Sequence, residues 1–326
     1  MDQENGSMMR AAVLVGPGRF EMQDAPVPQP GPGEVRVRLE GCGVCASNIE
    51  PWEGQPWSTY PGAPGGMGHE GWGVVDALGE GVSDVAAGER VTMMSERGFA
   101  PYDVATVDQL VRLPAALDGQ AFPGEPLACA MNIFRRADVL PGQTVAIVGI
   151  GFLGAVLTKL ASDAGARVIA ISRREESLAL ARANGAAETV PMDDHWAIIE
   201  KVKALTDGAL CERVIEAVGK QWPLDLASAI VGFGGRLVVA GYHQDGPRQV
   251  NMQDWNWKGI DVINAHERDP RVNLRGLNEA VAAVAGGRVD LAALLTHRFA
   301  LAELNEAVAA TRDKPAGFVK AVVTFE

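Results

Sequence analysis

The strongest constraint on this chain is a glycine-rich turn near its middle. Gly149-Ile150-Gly151-Phe152-Leu153-Gly154 follows the continuous apolar run Val145–Val148 and leads into a helical pattern over Leu153–Ala164. An unbroken apolar run of that length reads as a strand buried on both faces, as in parallel sheets covered by helices. In such a strand–turn–helix each glycine has its own task. The first makes the tight turn, the second lets backbone approach a pyrophosphate, and the third lets helix pack on strand. The helix N-terminus adds N–H donors and partial positive charge. Ligand-free turns and folds that bind methyl donors share the spacing; the flanking strand and helix favour a dinucleotide.

The middle of the chain keeps this rhythm. Strands at Arg167–Ile171, Val214–Ala217, Arg236–Ala240 and Ile260–Ile263 alternate with helical stretches such as Glu175–Ala183. That alternation predicts a doubly wound parallel sheet. Upstream the pattern is β: Val35, Val37 and Leu39 alternate, and further strands at Trp72–Ala77 and Arg90–Met94 are punctuated by glycine and proline. Downstream it is mixed, with helices over Leu274–Ala285 and Leu301–Thr311 and a strand over Phe318–Phe325. The expected fold class is therefore α/β: a Rossmann-type doubly wound domain over 127–264, and a β-rich domain formed from 1–126 and 265–326. At 326 residues the chain suits two domains of about 150.

Composition excludes several functions. The net charge is −12, and no block of Lys or Arg breaks it, which argues against nucleic acid and anionic membrane surfaces. No apolar run reaches the roughly 18 residues needed to span a bilayer. The segment Met1–Ser7 has neither a basic region nor an apolar core, so a signal peptide is not expected and Met9 would be a natural start. Four cysteines in so long a chain do not form a disulfide framework, so a reduced, cytoplasmic protein is expected.

The cofactor's type is read where the second strand ends. A carboxylate about 20 positions beyond the first glycine would bind the ribose 2′-hydroxyl of NAD. Here the strand ends in Ser172-Arg173-Arg174, with Ser172 23 positions beyond Gly149. A hydroxyl and two guanidiniums suit a 2′-phosphate, because arginine grips phosphate with a planar, charge-assisted fork. NADP(H) is thus expected over NAD(H), unless both arginines simply face solvent and pair with Glu175 and Glu176.

Two upstream segments hold candidate metal ligands: Gly43-Val44-Cys45-Ala46-Ser47-Asn48-Ile49-Glu50 and Gly68-His69-Glu70. Cys42 and Cys45 also scan as CxxC, but no second CxxC exists to complete a zinc knuckle. With these segments on the page the chain resembles the zinc-containing medium-chain alcohol dehydrogenases, over nearly its whole length from Met9 to Glu326. Gly43–Asn48 is similar to the family's G-x-C-G-[ST]-D, Gly68-His69-Glu70 to its GHE motif, and Gly88-Glu89-Arg90-Val91 to its GDRV turn. Glu125-Pro126-Leu127 resembles the EPL segment of the sorbitol and polyol branch, and Thr296-His297-Arg298-Phe299 the C-terminal T-H-x-F.

The resemblance implies a GroES-like catalytic domain in which Cys45 and His69 bind one catalytic zinc, Glu70 and Glu125 competing for a further position. Such a donor set suits Zn²⁺ and leaves a position for water or substrate. It implies that Ser47 relays the alcohol proton, although a serine there also suits a helix cap. Glu50 stands where relatives end the relay with histidine, and Lys320 matches a basic position near the cofactor pyrophosphate; a solvent-exposed lysine is the alternative. It further implies a homodimer or homotetramer acting on a small alcohol or carbonyl substrate.

Three departures stand out. Asn48 replaces an aspartate that would orient the zinc histidine, a task an amide can still perform as acceptor. Ala46 replaces glycine. Val91–Arg97 runs directly into Gly98-Phe99-Ala100-Pro101-Tyr102, where relatives insert a four-cysteine lobe, and no cysteine lies between 45 and 129; a structural zinc is not expected. His195, His243, His266 and His297 have no partner at metal spacing and read as surface or loop residues. Trp52 and Trp57 flank the metal segments and either line a pocket or pack in a core; Trp255 and Trp257 are open in the same way. The expected activity is a zinc-dependent oxidation of a secondary alcohol, polyol or sugar-like substrate with NADP(H). A zinc-independent quinone or enone reductase is the alternative within the fold, and a non-catalytic NADPH-binding sensor the alternative outside it.

Overall fold

The computed structural model describes residues 7–325, so the reading of the first residues lies outside it. Two antiparallel strands, β1 (Met8–Gly16) and β2 (Arg19–Pro26), open the chain as a separate ribbon. They are followed by β3 (Glu34–Val44), α1 (Ile49–Glu53), β4 (Gly71–Leu78), β5 (Arg90–Met93), β6 (Tyr102–Thr106) and β7 (Leu110–Arg112). After α2 (Gly124–Ala137) comes the alternating stretch: β8 (Thr144–Val148), α3 (Phe152–Asp163), β9 (Arg167–Ser172), α4 (Glu175–Ala183) and β10 (Glu188–Pro191). It continues through α5 (His195–Leu205), β11 (Cys211–Glu216), α6 (Gln221–Ile230), β12 (Val231–Val239), α7 (Met252–Lys258) and β13 (Asp261–Asn264). The chain closes with α8 (Pro270–Ala285), α9 (Leu291–Leu294), β14 (Leu295–Ala300), α10 (Leu304–Asp313) and β15 (Lys320–Thr324).

These elements divide into two compact units, one ending at Ala128 and resuming at Asp269, the other Cys129–Arg268. The sequence reading placed the boundaries at 126/127 and 264/265, two and four residues before those of the compact units. The later one moves because Pro270 opens α8 in its first turn and Asp269 caps it, its carboxylate accepting from Arg271 N at 2.9 Å.

The second unit is a six-stranded sheet in the order β10-β9-β8-β11-β12-β13, parallel throughout. The order reverses between β8 and β11, the switch point at which doubly wound sheets bind ligands. Val145–Val148 and Val168–Ile171 are fully buried, as continuous apolar strands must be. On one face α5 and α6 pack through Ile198, Ile199 and Val202 against Leu224, Leu226 and Ile230.

In the first unit a seven-stranded sheet runs β14-β15-β3-β4-β5-β7, with β6 also pairing β3. Only β14 and β15 are parallel. Register matters more than order here. Val44 at the end of β3 lies opposite Ala321 of β15, while Cys42 lies opposite Gly71 of β4. Residues just beyond these pairs (Cys45, Lys320 and Glu70) are thereby brought to one corner of the sheet. The bend after β5 is short: Glu96 N and Arg97 N both donate to the buried Asp103 carboxylate, at 3.1 and 2.9 Å. Gly98 N then donates to Gly68 O at 2.8 Å, which packs this loop against the histidine segment.

Candidate functional site

At that corner Cys45 Sγ, a ring nitrogen of His69 and a carboxylate oxygen of Glu70 lie within 4.8 Å of one another. Each is held by local backbone. Cys45 is the N-cap of a 3₁₀ turn over Ala46–Asn48, its sulfur accepting from Ser47 N at 3.5 Å. The capping task considered for Ser47 therefore belongs to Cys45. Cys42, three residues earlier, is completely buried, and burial together with the Glu70 charge pushes its thiol pKa well up. Cys42 stays a protonated core residue.

Met67 takes a positive φ of 75° and turns its carbonyl towards the ring of His69, which meets it through Nδ1 at 2.9 Å. This corrects the expected role of Asn48. Its amide nitrogen donates to the same Met67 carbonyl at 2.9 Å, and its oxygen accepts from Cys45 N at 3.0 Å. A carbonyl needs donors, so the amide serves a position where a carboxylate could not. With Nδ1–H on the carbonyl, Nε2 is the nitrogen that could take a metal ion. Burial works against a charged His69, yet the hydrogen bond and charge of Cys45, with Glu125 and Glu70 behind, raise its pKa to about 10. This pocket draws positive charge.

Glu70 is fully buried beneath it. Lys320 Nζ donates to Glu70 Oε1 at 2.9 Å and to Val44 O at 3.3 Å. It also stands 2.7 Å from Oε2, at an angle that makes an ion pair but no second hydrogen bond, so Oε2 is buried with no donor. Burial disfavours the Lys320 charge, but Glu70, Cys45 and Glu125 outweigh it and raise its pKa. The lysine is thus neither a solvent-exposed terminal residue nor presented as a free phosphate ligand; its ammonium is committed to Glu70. Glu125, in the first turn of α2, lies outside the three-ligand group and acts on it by charge. Glu50 is buried in α1 and accepts from Gln55 Nε2 at 2.5 Å.

The tryptophans divide. Trp52 is core: buried, bonded to Asn305 Oδ1 at 3.3 Å, and stacked under the Arg312 guanidinium at 5.2 Å. Trp255 packs on the core of the second unit, whereas Trp57 and Trp257 are exposed.

In the second unit the three glycines of the turn differ in what surrounds them. Gly149 has φ +99°, and a Cβ there would lie 2.4 Å from Val218 Cγ2. A Cβ on Gly154 would lie 2.0 Å from Gly149 O. One on Gly151 would meet nothing, leaving open space at the N-cap of α3, where Phe152 and Leu153 begin the helix. Space bounded by a helix N-terminus is what a pyrophosphate requires. Ser172 ends β9, Arg173 is exposed and Arg174 is half-buried. The Glu175 carboxylate is taken by Arg182 rather than by these arginines. Sequence reasoning missed Glu216, a fully buried carboxylate at the tip of β11. Its Oε1 accepts from Val218 N and Gly219 N at 2.7 and 2.8 Å, and His243 Nε2 reaches its Oε2 at 3.0 Å. Arg248 Nε donates to the other ring nitrogen of His243 at 2.8 Å, so this histidine is a buried-network residue rather than a surface one. A lone acid after an apolar strand was the available signal.

Fold and site together define a class, and comparison with known proteins agrees. The alcohol dehydrogenase GroES-like domain model matches residues 31–115 and the zinc-binding dehydrogenase model residues 153–284. An alcohol dehydrogenase of Rhizobium meliloti is 33% identical over 267 residues, covering 72% of this chain and 77% of that protein. A sorbitol dehydrogenase of Halalkalibacterium halodurans is 27% identical over 95% of this chain and 96% of its own length. Among solved structures, a putative zinc-binding dehydrogenase from Sinorhizobium meliloti bound to NADP has 27% identity and a TM-score of 0.83, covering 98% of this chain and 99% of that one. The chain belongs to the zinc-type medium-chain alcohol dehydrogenase family of oxidoreductases. Among the described residues no helix is long and apolar enough to cross a membrane.

Proposed function

We propose that this protein is a zinc-dependent dehydrogenase that oxidises a secondary alcohol, polyol or sugar-like substrate reversibly with NADP(H). The observation that carries the reading is the convergence of the Cys45 thiol, the His69 imidazole and the Glu70 carboxylate within 4.8 Å, with one buried carboxylate oxygen lacking a donor. A thiolate, an imidazole and a carboxylate are a catalytic zinc donor set. When bound, zinc would lower the pKa of an alcohol and polarise a carbonyl, so that hydride moves readily to or from the nicotinamide.

The chain's own residues do the rest. Cys45 and His69 would hold the ion, the latter oriented by the Met67 carbonyl. Lys320 neutralises part of the charge that Glu70 brings into an apolar setting, where an unpaired carboxylate would be costly. Glu125 lends further negative charge from the start of α2. Ser47 takes the hydroxyl proton and passes it towards Glu50. Arg173 and Arg174 distinguish NADP(H) from NAD(H) by gripping the 2′-phosphate. Polyol specificity draws support from the sorbitol dehydrogenases among the relatives and from Glu125-Pro126-Leu127.

Cys45→Ser separates this reading from its alternatives. Zinc content should fall from about one ion per chain towards zero and turnover over a polyol and alcohol panel should drop at least a hundredfold, while NADPH affinity stays within a factor of two. Full wild-type turnover after chelation would instead make the protein a zinc-free reductase. A wild type that binds NADPH but turns over nothing on a broad alcohol and carbonyl panel would make it a sensor.

A further inference from the structure

Three aromatic side chains at the carboxyl edge of the parallel sheet have no role in the chemistry above. His195 and Trp196 open α5 just after β10, and Trp222 lies in the first turn of α6 just after β11. The His195 ring meets Trp196 edge-on at 5.1 Å and Trp222 at 6.4 Å, so the loops after two strands that are not neighbours share one aromatic surface. That surface is open. Trp196 is 72% exposed, although the helix start that carries it is well fixed by Asp194, which accepts from Ala197 N at 2.8 Å. Beneath it, His195 Nδ1 is buried with no hydrogen-bond partner.

The position of this surface relative to the glycine turn can be traced through bonds. Met192 N donates to Ser172 O at 2.9 Å, and Pro191 pairs with Ser172, so the chain entering His195 runs beside the tip that carries Arg173 and Arg174. On the other flank Val218, held outward by the two amide bonds to Glu216, is 37% exposed and packs against Gly149. A nucleotide whose phosphates lie at Gly151 and whose ribose reaches the β9 tip has its base between these two flanks.

We infer that His195, Trp196 and Trp222 form a stacking platform for the adenine ring of the cofactor, and that they set affinity for the adenosine half independently of the 2′-phosphate. The inference rests on the dinucleotide reading of the glycine turn. Its physical basis is the contact between a purine face and aromatic rings, which for stacked bases is worth about a tenfold or greater change in affinity on truncation.

The test uses the full-length protein and three fragments: 5′-AMP, adenosine 2′,5′-bisphosphate and nicotinamide mononucleotide, each titrated by calorimetry and by tryptophan fluorescence. Trp196→Ala removes an exposed ring with little packing of its own. Trp222→Leu keeps apolar contact with the core and guards against loss of fold, which the unfolding midpoint reports. Both variants should bind 5′-AMP and the bisphosphate about tenfold more weakly, with nicotinamide mononucleotide unchanged, and 5′-AMP should quench wild-type fluorescence more than Trp196→Ala fluorescence. If wild type binds 5′-AMP and the bisphosphate equally and the tryptophan effect persists, the platform stands while the NADP preference falls. Wild-type affinity for both adenine fragments in both variants overturns the platform and leaves the dinucleotide reading intact; absence of any 5′-AMP binding to wild type overturns both.

Discussion

At Gly43 any side chain would place a carbon 1.7 Å from Glu70 Oε2 and 3.0 Å from Pro123 Cβ. The carboxylate cannot swing aside, because Glu70 is fully buried and tied to Lys320. Gly43→Ala should therefore displace Glu70 and strand a buried charge, a change that costs about 3–5 kcal/mol where a buried pair is broken. We expect a lowered urea midpoint and less than half the wild-type zinc content, by denaturation and elemental analysis. Gly16→Ala, where a Cβ would meet nothing within 4 Å, is the control and should leave both unchanged. The motif Gly-x-Cys was legible in the sequence, but the reason for its glycine was not. Gly43 and Glu70 are 27 positions apart, and Glu70 and Lys320 are 250 apart. Likewise Asn48 read as an acceptor standing in for aspartate until the Met67 carbonyl supplied the reason for an amide.

Among the elements, the β8–α3 turn was the most readable, because its constraints are local. A tight turn, a close backbone approach and close helix–strand packing each demand glycine within six residues. Gly151 isolates one of these demands from the others. Its φ of −97° suits any residue, and its added Cβ would face open space, so Gly151→Ala should change folding stability by less than about 0.5 kcal/mol. Cofactor affinity should nevertheless fall at least tenfold if phosphate lies there, a split measured by thermal unfolding beside NADPH titration. Elements without such local signatures were missed. The β1–β2 ribbon and β14 are recognisable through their partners: β14 reads as exposed alternation until β15 pairs with it in parallel. α2, which carries Glu125, begins at a glycine and a Glu-Pro pair that give no helix signal of their own; its cohesion comes from buried Leu127, Ala128, Ala130 and Met131.

Across the whole molecule, the two units are held together differently. In the first, Cys45, Glu70 and Lys320 are joined through the β15-β3-β4 register, so an ion bound there would tie these strands together. In the second, apolar contacts close the sheet core, and the buried Glu216 carboxylate is satisfied by the chain's own amides. Removal of a metal that binds only the folded state costs about 2.7 kcal/mol when it had been present at a hundred times its Kd. Chelation should therefore speed amide exchange at residues 41–44 and 321–324 while leaving 145–148 and 214–216 unchanged, measured by hydrogen exchange with mass spectrometry. Uniform loss of protection would show instead that the units unfold as one. Sequence alone determined what is encoded at short range: the apolar strands, the glycine turn, the cysteine and histidine segments, and the doubly wound class they imply. Periodicity and turn chemistry act over a few residues, so one chain displays them directly. Tertiary structure alone decided which charges meet, because strand register is a long-range choice made by burying one face of each strand. That choice paired Lys320 with Glu70 and Glu216 with His243, and it brought His195 to Trp222.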